Sequence, residues 1–122
     1  MLESSEHATP GSAPMPLTFD EHDRIPAIVQ DAETNQVLML GWMNRESLDH
    51  TFETGHVTFW SRSRDELWEK GSTSGNFLNF VSLHKNCEDN SLLVMARPEG
   101  PTCHTNNVTC YYREVDREHD LP

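Results

Sequence analysis

The chain has 122 residues, which is enough for one compact domain and leaves little room for a second. Its 20 Asp and Glu residues outnumber its 9 Lys and Arg residues, for a formal net charge of -11 at pH 7. This charge excludes a general nucleic-acid binder and a protein that adheres electrostatically to an anionic membrane. Much of the acid lies near the ends, so we expect a flexible acidic arm over residues 1–22, a folded domain over 23–112 and an acidic tail over 113–122.

The first predicted elements are a hairpin and a helix. Residues 27–30 and 37–40 are mostly apolar and predict two strands, and the mainly polar residues 31–36 supply the turn between them. Asn44 is a suitable helix N-cap, and Gly55 is a suitable stop. We therefore expect the main helix of the protein between these two residues.

The rest of the domain is predicted to be mostly strands. Residues 77–83 are apolar without strict alternation, which fits either a strand or a short helix. One main helix among hairpins predicts an α+β fold with a small, mostly antiparallel sheet. Because so small a core is marginally stable alone, a homodimer is favoured. The further predicted strands are residues 56–61, 66–70, 91–96 and 108–112.

No apolar run is long enough to span a bilayer, and the first residues carry acids where a signal peptide has a basic region. We therefore expect a cytoplasmic protein. The three cysteines are an odd number, which fits reduced thiols better than a disulfide framework.

Cys87, Cys103 and Cys110 are the candidate metal ligands. None of them belongs to a CxxC pair, so they can be read as small core residues. However, Cys87 and Cys103 lie in polar segments, where a packing thiol has little purpose. Three thiolates with an open fourth position would hold a catalytic zinc, and His84 is a less favoured fourth ligand. His104, next to Cys103, is either an ordinary surface histidine or a general acid or base beside that metal.

A second candidate site is basic. Arg62, Arg64 and Lys70 bring three of the nine basic residues within nine positions, among hydroxyl side chains and glycines. Such a segment can grip phosphate through forked and backbone hydrogen bonds. The alternative is a solvated hairpin turn in which the Arg side chains pair with neighbouring acids.

Four segments together resemble phosphoribosyl-AMP cyclohydrolase of histidine biosynthesis: IPAIVQDAETNQVLMLGWMN, ETGHVTFWSRSRDELWEKGSTSGN, GPTCHT and CYY. The resemblance covers residues 25–112 and implies hydrolytic opening of the adenine ring of N1-(5-phosphoribosyl)-AMP at the N1–C6 bond. It also implies an intertwined homodimer in which three cysteines from both subunits hold zinc. These match Cys87, Cys103 and Cys110, and His104 is the candidate for proton transfer. The matching substrate-binding residues are Trp60, Ser61, Arg62, Ser63, Arg64, Lys70, Ser74 and Gly75.

One motif departs from the family. Its magnesium site uses three acids of an Asp-Cys-Asp-x-Asp motif, which align here with Asn86, Glu88 and Asn90. Only one of the three is a carboxylate, and magnesium favours carboxylate oxygens. We therefore predict weak or absent magnesium binding, with zinc retained.

The leading interpretation is a monofunctional zinc enzyme acting on a small phosphoribosyl nucleotide. The altered loop keeps two alternatives open. One is a paralogue that hydrolyses another purine-like ring, and the other is a catalytically silent zinc-binding or interaction homodimer.

Overall fold

The protein is built on a four-stranded sheet and a separate two-stranded hairpin, seen in a computed structural model that describes residues 16–122. The order in the large sheet is β2-β1-β6-β5, and β3 pairs with β4. The elements in chain order are β1 (Ile25–Asp31), β2 (Val37–Met43), α1 (Arg45–Thr54), β3 (Thr58–Ser61), β4 (Glu66–Glu69), β5 (Leu78–Lys85), β6 (Leu92–Pro98) and α2 (Arg117–Asp120).

The predicted α+β fold with a mostly antiparallel sheet is confirmed. β1–β2, β3–β4 and β5–β6 are antiparallel pairs, and only β1–β6 is parallel. The parallel pair arises because α1, the β3–β4 hairpin and β5 intervene before the chain returns beside β1. Residues 77–83, which fitted a strand or a helix, fall largely within strand β5.

The predicted helix α1 is confirmed together with its two ends. The Asn44 side chain accepts a hydrogen bond from the Ser47 backbone N–H at 2.9 Å, and the Ser47 hydroxyl accepts one from the Asn44 N–H at 2.9 Å. Such a cap contributes about 1 kcal/mol. Gly55 has φ 78° and donates its N–H to the Thr51 carbonyl, which ends the helix.

The core lies between one face of the sheet, helix α1 and the β3–β4 hairpin. Alternate residues of β1 and β6 point into it, as expected for strands with one covered face. The Phe59 ring packs directly on Gly41, where an added Cβ would lie 2.4 Å from Phe59 Cδ1. This contact brings the β3–β4 hairpin close to β2. The buried apolar residues of the strands are Ile25, Ala27, Val29, Leu38, Met39, Met43, Phe59, Leu78, Leu92, Val94 and Ala96.

The opposite face of the sheet carries an open apolar row. Ile28 pairs with Leu40 on one side and with Leu93 on the other, so these three side chains form a row across three strands. Ile28 and Leu40 are 42% and 46% exposed. An exposed apolar row on a central strand is typical of a surface that another molecule covers.

The strand predicted over residues 108–112 is wrong. The Cys110 N–H does donate to the Leu38 carbonyl at 2.8 Å, at the edge of β2. However, the next contact comes from a side chain, because the Thr109 hydroxyl donates to the Val37 carbonyl at 2.7 Å. A hydroxyl therefore takes the place of a ladder bond, and the segment is anchored without becoming a strand.

The two ends of the described chain make specific contacts of their own. Leu17 and Phe19 pack against the core, and the Thr18 N–H donates to the Asp89 carbonyl at 2.7 Å. Residues 1–15 of the predicted arm lie outside the described residues. In the acidic tail, Asp116 caps the short helix α2 by accepting the Glu118 N–H at 2.9 Å.

Across residues 16–122, no helix has both the length and the apolar character needed to cross a membrane.

Candidate active site

Two cavities lie on either side of Trp68, which lines both. The first, of about 660 Å³, is an open cleft lined by residues preceding β1, by β2 and by the β3–β4 hairpin. The second, of about 290 Å³, lies between the loop after β4 and the loop after β6. Residues 59–63 line the first cavity and residues 70–74 contribute to the second, so the basic segment borders both.

The first cavity has the composition of an anion site. Arg24, Arg62 and His22 line it, and none of its lining residues is an acid, although the chain carries a net charge of -11. The Arg62 guanidinium lies over the Trp42 ring, with Cζ 4.5 Å from the ring centroid. Arg24 lies 3.9 Å from the Asp65 carboxylate, whereas Arg62 is held beside an aromatic ring and favours phosphate or another anion.

The remaining residues of the Ser-Arg segment divide between the cavity and solvent. Trp60, Ser61 and Ser63 line the first cavity, and the Trp60 indole N–H donates to Asp65 at 3.2 Å. Arg64 does not line either cavity, and its Nε lies 3.8 Å from a Glu66 carboxylate oxygen. The anion-site interpretation therefore fits Arg62, and the paired-turn interpretation fits Arg64.

The second cavity depends on two glycines. Gly71 has φ 96°, and an added Cβ would lie 2.5 Å from the backbone nitrogen of Phe77. At Gly100 the same atom would lie 2.4 Å from the Asn76 side-chain oxygen. Only glycine fits these close approaches without movement of the neighbouring atoms. The two loops consequently meet closely enough to share one cavity.

Lys70 and Ser74 line this second cavity, whereas Gly75 does not. The Lys70 ammonium lies 5.6 Å from the centroid of the Trp68 ring, and the Ser74 hydroxyl accepts the Asn76 N–H at 3.2 Å. Gly75 has φ 83° and donates its N–H to the Gly71 carbonyl at 2.7 Å. Its role in this structure is to close the turn that presents Lys70 and Ser74.

Cys103 and Cys110 lie together at the second cavity's end of the sheet. The Thr105 hydroxyl donates to the Cys103 sulfur at 3.0 Å and lowers the pKa of that thiol. A hydrogen bond with Cys110 and the charge of Lys70 act in the same direction. Burial of its sulfur, followed by the proximity of Cys103, raises the pKa of the Cys110 thiol. Within the pair, the thiolate is thus favoured at Cys103 and disfavoured at Cys110.

Cys87 lies elsewhere. It is exposed in the turn between β5 and β6, whereas Cys103 follows the far end of β6. The seven residues of β6 span about 20 Å at the usual rise of a strand. Within residues 16–122, no three His, Cys, Asp or Glu side chains come together in a way that could hold a metal ion. One chain therefore brings together two of the three predicted thiols.

The residues of the predicted magnesium motif lie in the same turn as Cys87. The side chains of Asn86 and Asn90 contact each other, with Nδ2 of Asn86 2.7 Å from Oδ1 of Asn90. Glu88 is exposed. His84 is also exposed, with Nε2 3.0 Å from the Ser82 hydroxyl.

His104 is exposed and lines the second cavity beside Cys103. Thr102 lines the same cavity but is buried, and its hydroxyl has no hydrogen-bond partner within the described part of the chain. A buried hydroxyl without a partner costs about 1–3 kcal/mol, so a ligand or a local movement that satisfies it is favourable.

Sequence reasoning missed Thr102, and also Arg24, Trp42 and Trp68. Arg24 was detectable as one of only nine basic residues in an acidic chain. The two Trp residues carry no local signal of this kind, because an aromatic residue in a strand is usually part of the core.

Comparisons with known proteins agree with the resemblance in the sequence. The family model described as phosphoribosyl-AMP cyclohydrolase matches residues 39–112. A phosphoribosyl-AMP cyclohydrolase of Roseobacter denitrificans is 50% identical over 107 residues, which cover 88% of this chain and 84% of the relative. One of Dinoroseobacter shibae is 47% identical over 102 residues, covering 84% of this chain and 86% of the relative.

A longer relative also matches. The histidine biosynthesis bifunctional protein HisIE of Bacteroides thetaiotaomicron is 53% identical over 98 residues, which cover 80% of this chain and 48% of that protein. The chain thus spans about half the length of this bifunctional relative. From the matched family model and these identities, the chain belongs to the phosphoribosyl-AMP cyclohydrolase family, hydrolases of histidine biosynthesis that act on a cyclic amidine.

Proposed function

We propose that this chain is a zinc-dependent phosphoribosyl-AMP cyclohydrolase that opens the adenine ring of N1-(5-phosphoribosyl)-AMP at the N1–C6 bond. The observation that carries the proposal is the pair of acid-free cavities that meet at Trp68. One is lined by Arg24 and Arg62, and the other by Cys103 and His104. The proposal thus assigns phosphate binding and proton transfer to separate but adjoining cavities.

The first cavity receives one of the two phosphoribosyl groups. Its guanidinium groups pair with the phosphate, and its Trp rings offer flat surfaces for the purine. Lys70 and Ser74 provide a cation and a hydroxyl for the second phosphoribosyl group in the adjoining cavity. This division supports a substrate with a phosphate at each end of one purine.

The metal of the proposal is zinc bound by Cys103 and Cys110 of one chain and Cys87 of its partner. The thiol pair fits a soft divalent cation, because Thr105 and Lys70 favour the thiolate of Cys103. When bound, zinc supplies an acidified water at neutral pH.

The hydrolysis adds one water across one bond. The water oxygen bonds to C6, the N1–C6 bond breaks, and its electron pair stays on N1, which takes up a proton. C6 becomes the carbon of a carboxamide that keeps the exocyclic amine. His104, on the wall beside Cys103, accepts the proton of the water and delivers it to N1.

A homodimer follows from the same arrangement. Cys87 lies at the opposite end of the sheet from Cys103 and Cys110, so a second copy is needed to complete the three ligands. The open apolar row of Ile28, Leu40 and Leu93 offers a surface for that copy. All three cysteines are free thiols, which fits the reducing cytoplasm.

The test is turnover of N1-(5-phosphoribosyl)-AMP by the zinc-loaded protein, followed by the absorbance change on ring opening. We expect turnover that is lost on zinc removal and restored by zinc. No turnover with zinc bound would overturn the proposal and leave the silent homodimer. Turnover of a different purine-like ring alone would instead identify a paralogue.

The substrate-binding assignment has a matched pair of variants. Arg62→Ala removes a cavity guanidinium, and we expect kcat/KM to fall at least about tenfold, mainly through KM, because a hydrogen bond to a charged group is lost. Arg64→Ala removes the same charge from the same turn but outside both cavities. An equal loss in both variants would contradict the assignment.

A further inference from the structure

The turn between β5 and β6, residues 86–91, is closed by hydrogen bonds among its own residues; we refer to it as the Cys87 turn. The Asn86 side-chain oxygen accepts the N–H of Asn90 at 2.9 Å and that of Ser91 at 3.0 Å. The Asn86 amide nitrogen donates to the Asn90 side-chain oxygen at 2.7 Å. Since a carbonyl oxygen has two lone pairs, the Asn86 oxygen is fully used.

An ion pair reinforces the same turn. The Lys85 ammonium lies 2.8 Å from the Asp89 carboxylate, and Asp89 adopts φ 60°. The Asp89 carbonyl accepts the Thr18 N–H at 2.7 Å, which ties the turn to the segment before β1. The Lys85 ammonium therefore already places a positive charge next to Asp89, one of the two acids of this turn.

These bonds conflict with a divalent cation at the positions where the family's magnesium motif aligns. Magnesium requires near-octahedral oxygen ligands and favours carboxylates. The side-chain oxygen of Asn86 already accepts hydrogen bonds from two N–H groups, and the side-chain nitrogen of Asn86 is itself a donor. Lys85 partly neutralises Asp89, which leaves Glu88 as the other acid of the turn. The residues present do not fit the metal.

We propose that the Asn86–Asn90 amide pair and the Lys85–Asp89 ion pair replace magnesium in this chain. They hold the Cys87 turn, and with it a proposed zinc ligand, in position without a divalent cation. Turnover without magnesium is a consequence that rests on the proposed function. The stability of the turn without a divalent cation does not rest on it.

The experiment compares thermal unfolding of the full-length protein, as purified, with and without Mg²⁺, at equal ionic strength because an acidic chain responds to screening alone. Asn86→Asp with Asn90→Asp places two carboxylates in contact. We expect this variant to lose stability without Mg²⁺, to regain it with Mg²⁺, and to bind Mn²⁺ at least about tenfold more tightly than the wild type. Asn35→Asp with Gln36→Glu, in the exposed β1–β2 turn, adds the same charge as a control.

The wild-type measurement decides the proposal even if the double variant fails to fold. An unfolding midpoint independent of Mg²⁺, together with a midpoint lowered by Asn86→Ala at every Mg²⁺ concentration, supports it. A wild-type midpoint that rises with Mg²⁺ and loses this response in Glu88→Gln overturns it, and so does an Asn86→Ala variant as stable as the wild type. None of these readouts needs turnover, so an inactive protein would refute the proposed function alone.

Discussion

The Cys87 turn and the loop of Cys103 and Cys110 carry the three cysteines but are held in opposite ways. The Cys87 turn is shaped largely by bonds between residues at most five apart in the sequence, and its thiol is exposed. The other loop is anchored to distant elements, since Cys110 and Thr109 bind the edge of β2 and Gly100 packs on Asn76.

This difference indicates which of the two regions is positioned by contacts with the rest of the chain. A turn closed mainly by its own side chains depends less on distant parts of its chain, and in the proposed homodimer it would present Cys87 to the partner. A loop whose position depends on β2 and on the loop after β4 is fixed relative to the cavities of its own chain. Apart from Cys87 itself, we expect mutations in the first region to act on stability and on assembly, and those in the second to act on metal affinity and catalysis.

The largest predicted effect comes from combining two inactive chains. Cys87→Ser and Cys103→Ser should each reduce kcat at least about a hundredfold, the loss typical of removing a group that stabilises developing charge. If the proposed site is shared between two chains, co-expression of the two variants leaves one of the two sites in each mixed dimer with all three cysteines. Random pairing then restores about a quarter of wild-type activity.

This restoration is measured on the purified mixture, with zinc content determined in parallel. Two Cys103→Ser chains carrying different tags serve as the control, because no pairing of them completes a site. Mixed dimers that form but stay inactive would show that the three cysteines are not shared between chains.

Sequence reasoning succeeded where the determinants are local. Helix α1 was predicted because Asn44 and Gly55 determine its ends through bonds to residues a few positions away. The strand over residues 108–112 was wrongly predicted because an apolar and aromatic segment can be anchored by the Thr109 hydroxyl as well as by a ladder. No local pattern distinguishes these two outcomes, since the acceptors belong to β2.

The second prediction concerns the loop anchored by distant contacts. Thr105→Val removes the hydroxyl that donates to the Cys103 sulfur and is itself held by the Asn107 amide at 2.8 Å. The pKa of the Cys103 thiol then rises towards its ordinary value. Because zinc binds the thiolate, we expect about tenfold weaker zinc binding, a loss typical of removing a group that supports a metal ligand.

The same substitution should also change the pH at which zinc is released. The wild type should keep zinc to a lower pH than Thr105→Val, and Thr105→Ser should behave as the wild type because it keeps the hydroxyl. A zinc-release curve against pH measures this for all three proteins. Coincident curves for wild type and Thr105→Val would show that the hydroxyl does not support the ligand.

The candidate site was only partly predictable for a similar reason. Arg62 and Arg64 are indistinguishable in the sequence, two positions apart in one turn, yet one lies over Trp42 and the other beside Glu66. The departure at Asn86 and Asn90 was visible as a loss of charge, but the bond between the two amides depends on the fold of the turn. The sequence shows that two carboxylates of the family's motif are absent, and the structure shows that two hydrogen-bonded amides occupy their positions.

The smallest predicted effect compares two ion pairs of the same spacing. Lys85 and Asp89 pair at 2.8 Å in the Cys87 turn, and their side chains are 39% and 22% exposed. Arg45 and Asp49 pair at 3.2 Å on α1 but are 84% and 54% exposed. We expect Lys85→Met to lower the free energy of unfolding by about 0.5 kcal/mol and Arg45→Met by less, because exposure and screening weaken such pairs. Urea unfolding at low and high salt measures both losses.

If the Cys87 turn is held by its own side chains, salt should reduce the effect of Lys85→Met, and Mg²⁺ should not restore the stability that is lost. Equal losses in the two variants would mean that the turn gains no more from its ion pair than an exposed helix does.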